Sequence, residues 1–183
     1  MSDVFHKVPP HSLEAEQSLI GSMMLSEDAV VAALEIVEAV DFYQTSHRHI
    51  FQALVDLFNA QRPCDLITLQ EELRSKERLA EIGGVSYLSQ LLNVVPTARN
   101  AEHYARIVKE KSMLRSLISV SGEISTSAYD PQAQAEQLLD SAEQKVLQLS
   151  QFKVTRPYMR VKDLVKPTFS YLESLYENKQ AVT

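Results

Sequence analysis

The chain has 183 residues, 45% hydrophobic and 23% charged, enough for one compact domain and an appendage, and its four glycines and absent tryptophan argue against a turn-rich sheet fold. No apolar run is long enough to cross a bilayer, no signal-peptide pattern follows Met1, and the lone Cys64 cannot form an intrachain disulfide, which fits a reducing cytoplasm. The net charge of −6 is concentrated in residues 1–60, where nine Asp/Glu face two Lys/Arg (Lys7 and Arg48); this is a poor surface for DNA, whose affinity comes largely from basic groups displacing counterions.

Strand-like alternation is not sustained anywhere, whereas i, i+3, i+4 periodicity recurs along most of the chain, so the predicted class is all-α. Pro9 and Pro10 hold the entering chain extended, Ser12 can cap a first helix over residues 12–25, and Glu14 and Glu16 place negative charge at the positive end of its dipole. A second helix is expected over 26–37, with Glu27 and Asp28 in its first turn. A third spans 46–60, with an apolar stripe of Ile50, Phe51, Leu54, Leu57 and Phe58, and stops before Pro63. Thr68-Leu69-Gln70-Glu71 has capping-box spacing and is expected to open a fourth. Gly83-Gly84 breaks the chain before a short fifth helix over 85–94 that ends ahead of Pro96. Helices this short are not stable alone in water and must share one core.

The second half changes character. Asn100 is placed to cap a helix running to Ser127, with periodic positions Tyr104, Ile107, Val108, Leu114, Leu117, Ile118 and Ile124. Tyr129-Asp130-Pro131 reads as a turn carrying its own N-cap and first-position proline. A second long helix follows to Ser150, with Leu138, Ala142, Val146 and Leu149 near heptad spacing. Together they predict an antiparallel helical hairpin roughly 30–40 Å long. The head is too small to cover all of it. Leu114, Leu117, Leu138, Val146 and Leu149 are therefore the candidates for self-association. A basic connector follows Gln151, read as a solvated linker with direct nucleic-acid contact as the alternative. Residues 167–177 are expected to form a short amphipathic helix with Phe169, Leu172 and Tyr176 on one side.

Catalytic chemistry is hard to place on these residues. None of the four glycines (Gly21, Gly83, Gly84, Gly122) is followed by lysine, so there is no phosphate-binding loop of the Gly-Lys-Ser/Thr kind. His47 and His49, two apart, point about 200° away from each other around a helix. There is no Glu-x-x-His pair for a di-iron bundle and no second cysteine to share zinc with Cys64. Glu14 and Glu16 cannot act as a paired acid and base at that spacing. No catalytic, cofactor or metal site is expected here, and the histidines are expected to be packed or hydrogen-bonded.

The string Pro9-Pro10-His11-Ser12-Leu13-Glu14-Ala15-Glu16-Gln17 exceeds what helix formation requires. With Asp41-Phe42-Tyr43, residues 47–51, 65–69, Ile82-Gly83-Gly84-Val85-Ser86-Tyr87-Leu88 and 95–115, in that order, it resembles the N-terminal domain of DnaB-family replicative DNA helicases over roughly residues 8–150. The resemblance implies a role. Such helicases are hexameric rings whose C-terminal RecA-like domains use ATP and Mg and translocate on single-stranded DNA. Their N-terminal domains, a globular helical head followed by a helical hairpin, pair through the hairpins into a collar. That collar receives the C-terminal domain of a DnaG-type primase and the helicase loader, and a linker helix packs on the neighbouring motor domain.

On this reading residues 1–98 are the head, 99–150 the hairpin of the same domain, and 151–183 a linker whose helix offers Phe169, Leu172 and Tyr176 as contacts, although Pro167 interrupts the continuous helix usual there. The RecA-like domain is absent from the chain, so ATP, Mg and single-stranded DNA are expected to belong to that domain, in a protein that is cytoplasmic and nucleoid-associated during replication. The resemblance puts primase at the junction of head and hairpin. Tyr87, Ile118, Ile124 and Glu14 are the candidates there, against the alternative that Tyr87 and both isoleucines are core. The competing function is a free-standing helical adaptor without a motor; the residues that follow Thr183 distinguish the two.

Overall fold

The computed structural model describes residues 8–151. Helix α1 (Leu13–Leu25) runs through the middle of the head, and every residue from Ser18 to Met24 is buried. Ser12 caps it as expected, its Oγ accepting from the Ala15 amide at 3.3 Å. Around α1 pack α2 (Glu27–Leu34), α3 (Thr45–Asn59), α5 (Gly84–Val94) and α6 (Ala101–Ala128), while α4 (Leu66–Ser75) rests on α3 and α5. Single 3-10 turns at Ala39–Asp41 and Ala98–Asn100 lead into α3 and α6. The core contains the predicted α3 stripe: Ile50, Phe51, Leu54 and Leu57 share it with Leu19, Ile20 and Met23 of α1, Leu69 and Leu73 of α4, and Leu88 and Leu91 of α5. The all-α class is confirmed: among the described residues there are seven α-helices and no strand.

Two expected helix starts are displaced, each by one side chain. Helix α4 opens at Leu66 rather than at Thr68, because Asp65 is the cap and accepts from the Thr68 amide at 2.8 Å. Aspartate outranks threonine at this position. That same bond, outweighing a small burial effect, holds the Asp65 carboxyl below the usual carboxylate range. Helix α7 (Ala135–Gln151) starts four residues after Pro131. Asp130 closes a single turn, its Oδ1 accepting from the Gln132 amide at 2.9 Å and its carbonyl from the Ala133 amide at 3.0 Å, and the helix does not continue from it.

Helices α6 and α7 form the expected antiparallel hairpin: Lys145 pairs with Glu123 at 2.8 Å, and Val146 and Leu149 lie opposite Met113 and Leu117. At 1.5 Å per residue, α6 extends about 42 Å. Only its first half is seated on the head. Its buried residues are Ala101, Ala105, Val108 and Ser112, small side chains that let the helix axes approach, and not the larger Leu114, Leu117 and Ile118. The expected linker helix at 167–177, with Phe169, Leu172 and Tyr176, lies outside the described residues.

One glycine is there for contact. A Cβ on Gly21 would run into the Leu91 carbonyl oxygen and approach Val95 Cγ2 to 2.9 Å, whereas a Cβ on Gly122 would meet nothing within 4 Å. Gly21→Ala is therefore expected to destabilise the chain by about 1–3 kcal/mol through overpacking. Gly122→Ala, on the open face of α6, should stabilise it by up to about 1 kcal/mol. Urea denaturation of the two variants reads the contrast directly. Equal shifts of the same sign would mean that α1 and α5 do not touch at Gly21.

Candidate functional site

A buried polar cluster joins three helices of the head. Glu16, on the buried side of α1, is 1% exposed and His47 on α3 is fully buried. Glu16 Oε1 accepts from the Tyr43 amide at 2.7 Å, and Oε2 accepts from the Gln44 amide at 3.4 Å, so the carboxylate sits at the start of α3. Oε2 also lies 2.6 Å from His47 Nδ1, and His47 Nε2 is 2.6 Å from the Tyr87 hydroxyl on α5. Gln17 Nε2 donates to the same phenol oxygen at 3.4 Å. One proton arrangement satisfies every group: Nδ1–H donates to Glu16, and Nε2 accepts from Tyr87 O–H, whose oxygen accepts from Gln17. Among the described residues no buried side-chain nitrogen or oxygen lacks a partner.

A carboxylate, an imidazole and a phenol in series have the order of a proton relay. Here, however, the imidazole is sealed: both ring nitrogens are engaged and none of its surface is exposed. No substrate atom can reach it, so the cluster is an interlock. Helix α3 has no acidic residue in its first turn and no side-chain cap from Gln44; the Glu16 carboxylate of the neighbouring helix lies just ahead of that turn, on the Tyr43 and Gln44 amides.

A second polar junction joins head to hairpin. Arg115 of α6 donates through Nη1 to the Pro10 carbonyl at 2.8 Å and through Nη2 to the Asp41 carbonyl. Lys109, two turns earlier, reaches Asp41 Oδ2 at 2.9 Å. The Tyr43 ring is stacked on His11, centroids 4.3 Å apart, and the Arg115 guanidinium lies 5.8 Å from its centroid. Burial pushes the Arg115 guanidinium below its ordinary value and Arg48 adds to this, while Glu16, Asp41 and Tyr43 oppose it.

Beside this junction the 3-10 turn, α6 and α7 enclose an open groove of about 360 Å³. Val40, Met113, Leu117, Val146 and Leu149 give it an apolar lining, with Glu38, Asp41 and Lys109 on its polar side.

The predicted site residues fall into two groups. Glu14 is exposed, and Gln17, one turn on along α1, touches Tyr87, so these three share one region of the head. Tyr87 is half-buried and packs against the core cluster; it is neither wholly core nor wholly surface. Gly83, in left-handed conformation at φ +97, turns the chain so that the Tyr87 side chain lies over it; a Cβ there would come within 3.1 Å of Tyr87 Cβ. Ile118 is 59% exposed, one turn beyond Arg115, and Ile124 is half-buried further out on α6. Leu117, Val146 and Leu149 line the groove together, Leu114 is exposed beside them, and Leu138 is half-buried toward the turn. Sequence reasoning missed Asp41, Lys109 and Arg115. It also took Glu16 for a dipole charge on its own helix. The available signal was that Glu16 and His47 each interrupt an apolar stripe.

Among the described residues no group of three His, Cys, Asp or Glu could hold a metal ion, and no helix is long and apolar enough to cross a membrane. The described residues thus make an all-helical domain, a head with sealed polar contacts and a half-covered hairpin. The DnaB-like helicase N terminal domain family matches residues 8–110, and the chain belongs to that family. It is similar to the replicative DNA helicase DnaB of Geobacillus stearothermophilus, 41% identical over 184 residues, which cover 100% of this chain and 40% of that protein. The replicative DNA helicase DnaC of Bacillus subtilis (strain 168) is 38% identical over 184 residues, with the same coverage. The crystal structure of the N-terminal domain of DnaB helicase from Mycobacterium tuberculosis matches with a TM-score of 0.73 and 37% identity, covering 77% of this chain and 99% of that one. The chain thus spans about two fifths of the length of these curated relatives.

Arg115→Lys tests the head–hairpin junction, since an ammonium keeps the charge but cannot fork to two carbonyl oxygens. The variant should lose about 1.5–3 kcal/mol, the range for a hydrogen bond to a charged group. Amide exchange should quicken in residues 41–43. Unchanged stability and unchanged exchange would mean that the guanidinium does not hold the hairpin root.

Proposed function

We propose that this chain is the assembly and docking region of a replicative DNA helicase, with residues 1–98 as head, 99–150 as hairpin and 151–183 as the connector toward a motor. In this reading copies pair through their hairpins within a hexameric collar. The junction of head and hairpin receives the C-terminal domain of a DnaG-type primase, and the loader acts on the same assembly. The parent protein is then a cytoplasmic ATP-dependent helicase of DNA replication, with ATP, Mg and single-stranded DNA handled by its motor domain. The residues of this chain do not fit ATP themselves: Gly21 lies inside α1, Gly122 inside α6, and Gly83-Gly84 leads into Val85 with no lysine following.

The observation that carries the pairing is helix α7. It is 17 residues long, and none of its described side chains is buried. In proteins most of a helix's stability comes from packing of its apolar face rather than from intrinsic propensity. Val146 remains 48% exposed and Leu147 58%, so the chain alone leaves that face half covered. A second hairpin supplies the missing cover.

Sedimentation over a wide concentration range should show reversible self-association, and Leu117→Asp and Val146→Asp should each abolish it while leaving the helix content intact. A strict monomer at millimolar concentration counts against the pairing surface. For docking, Glu14→Ala, Ile118→Ala and Ile124→Ala bracket the junction, and a true hot spot among them costs about 2 kcal/mol or more in primase binding. Titration of ATP analogues by calorimetry should give no saturable heat; micromolar binding would overturn the assignment of nucleotide chemistry to another domain.

A further inference from the structure

Tyr87 turns its hydroxyl into the head. The phenol oxygen ends on His47 Nε2 at 2.6 Å, the two rings lie with their planes 6° apart, and their centroids are separated by 6.0 Å, too far for face-to-face contact. The rings therefore meet end to end, with the hydrogen bond along the line that joins them. The far nitrogen of the same imidazole is held by Glu16 at 2.6 Å, and Glu16 is itself held by the Tyr43 and Gln44 amides. Gln17 approaches the phenol from α1, and the bare Cα of Gly83 leaves room for the Tyr87 side chain. A half-buried tyrosine ordinarily chooses among staggered rotamers. This one is tied at its tip.

We infer that His47, which contacts no solvent, is the positioning residue for the docking face that Tyr87 contributes; the inference rests on the proposed reading of Tyr87 as part of the primase surface. Two consequences follow from the geometry. The hydroxyl is already engaged on its own protein, so the partner meets the ring and not a free phenol. The matching surface on the primase domain is an apolar side chain laid on that ring, beside a basic group for exposed Glu14. The ring is also ordered before the partner arrives, so binding does not have to immobilise it. The Glu16–His47 pair thus acts on affinity without touching the partner, through Tyr87 alone.

The test is a double-mutant cycle read by calorimetric titration of the chain with the primase C-terminal domain. Tyr87→Ala should weaken binding by about 30-fold or more, the equivalent of a hot-spot loss. Tyr87→Phe keeps the ring and loses only the tie, and His47→Gln cuts the same tie from the other end. Each should weaken binding about three- to tenfold, as expected for one hydrogen bond. Because both break one link, the Tyr87→Phe/His47→Gln double variant should bind no more weakly than the weaker single. Val30→Ala, which removes buried volume from α2, is the stability control and should bind like the parent. Tyr87→Phe binding like the parent overturns the positioning role, as does additivity in the double variant. If His47→Gln does not fold, Tyr87→Phe decides alone. Tyr87→Ala binding like the parent instead overturns the docking surface itself, which separates failure of the site from failure of the inference.

Discussion

The carboxylate of Glu16 is the contact on which the rest of the head depends. An ionised carboxylate taken out of water carries a heavy desolvation penalty unless its oxygens are fully occupied. Here two backbone amides and an imidazole occupy them. The arrangement also places a carboxylate just ahead of α3, whose first turn has no acidic residue and no side-chain cap. Apolar contacts between helices are non-directional and tolerate sliding and rotation. Hydrogen bonds of 2.6–2.7 Å do not. Register among α1, α3 and α5 is therefore set by polar atoms inside an otherwise apolar core.

The same short stretch that receives Glu16 also anchors the hairpin. Asp41 offers its carbonyl to Arg115 and its carboxylate to Lys109, Phe42 is fully buried against Phe51, and Tyr43 gives its amide to Glu16 and its ring to His11 and Arg115. Three consecutive residues thus tie the inside of the head to the root of α6. The direction in which the hairpin leaves is consequently a property of the head. This suits the proposed role, in which the hairpin meets a second copy and a head face meets a different partner.

Much of this was legible in the sequence, and the misses have identifiable causes. Prolines, Ser12 and the Gly83-Gly84 break located α1, α3 and α5 to within a residue or two, because those residues act on the backbone directly. The starts of α4 and α7 were misplaced at their caps. Asp65 outbid Thr68, while Asp130 closes a single turn from which the helix does not continue. The stripe on α6 was read correctly at Tyr104, Ile107 and Val108 but incompletely. A search for large apolar residues passes over Ala101, Ala105 and Ser112, yet these are what allow α6 to lie close to the head. Glu16 and His47 were visible as two polar residues at positions of apolar stripes (16, 19, 20, 23 and 47, 50, 51, 54), complementary in chemistry. Pairing them requires knowing that α1 and α3 cross at those positions, and that is tertiary information.

The hairpin shows what the head does not need. Helix α6 carries Leu114, Leu117 and Ile118 in the open, and α7 carries Leu139, Val146 and Leu147. Monomeric proteins rarely leave contiguous apolar patches of this kind uncovered. Selection for the stability of the single chain would favour polar residues there, since the head already seals its own core through Ala105 and Val108. The apolar residues persist beyond the point at which the head can use them. These residues are the hairpin face on which the proposed pairing rests, and the polar junction at Asp41 and Arg115 ties the root of that face to the head.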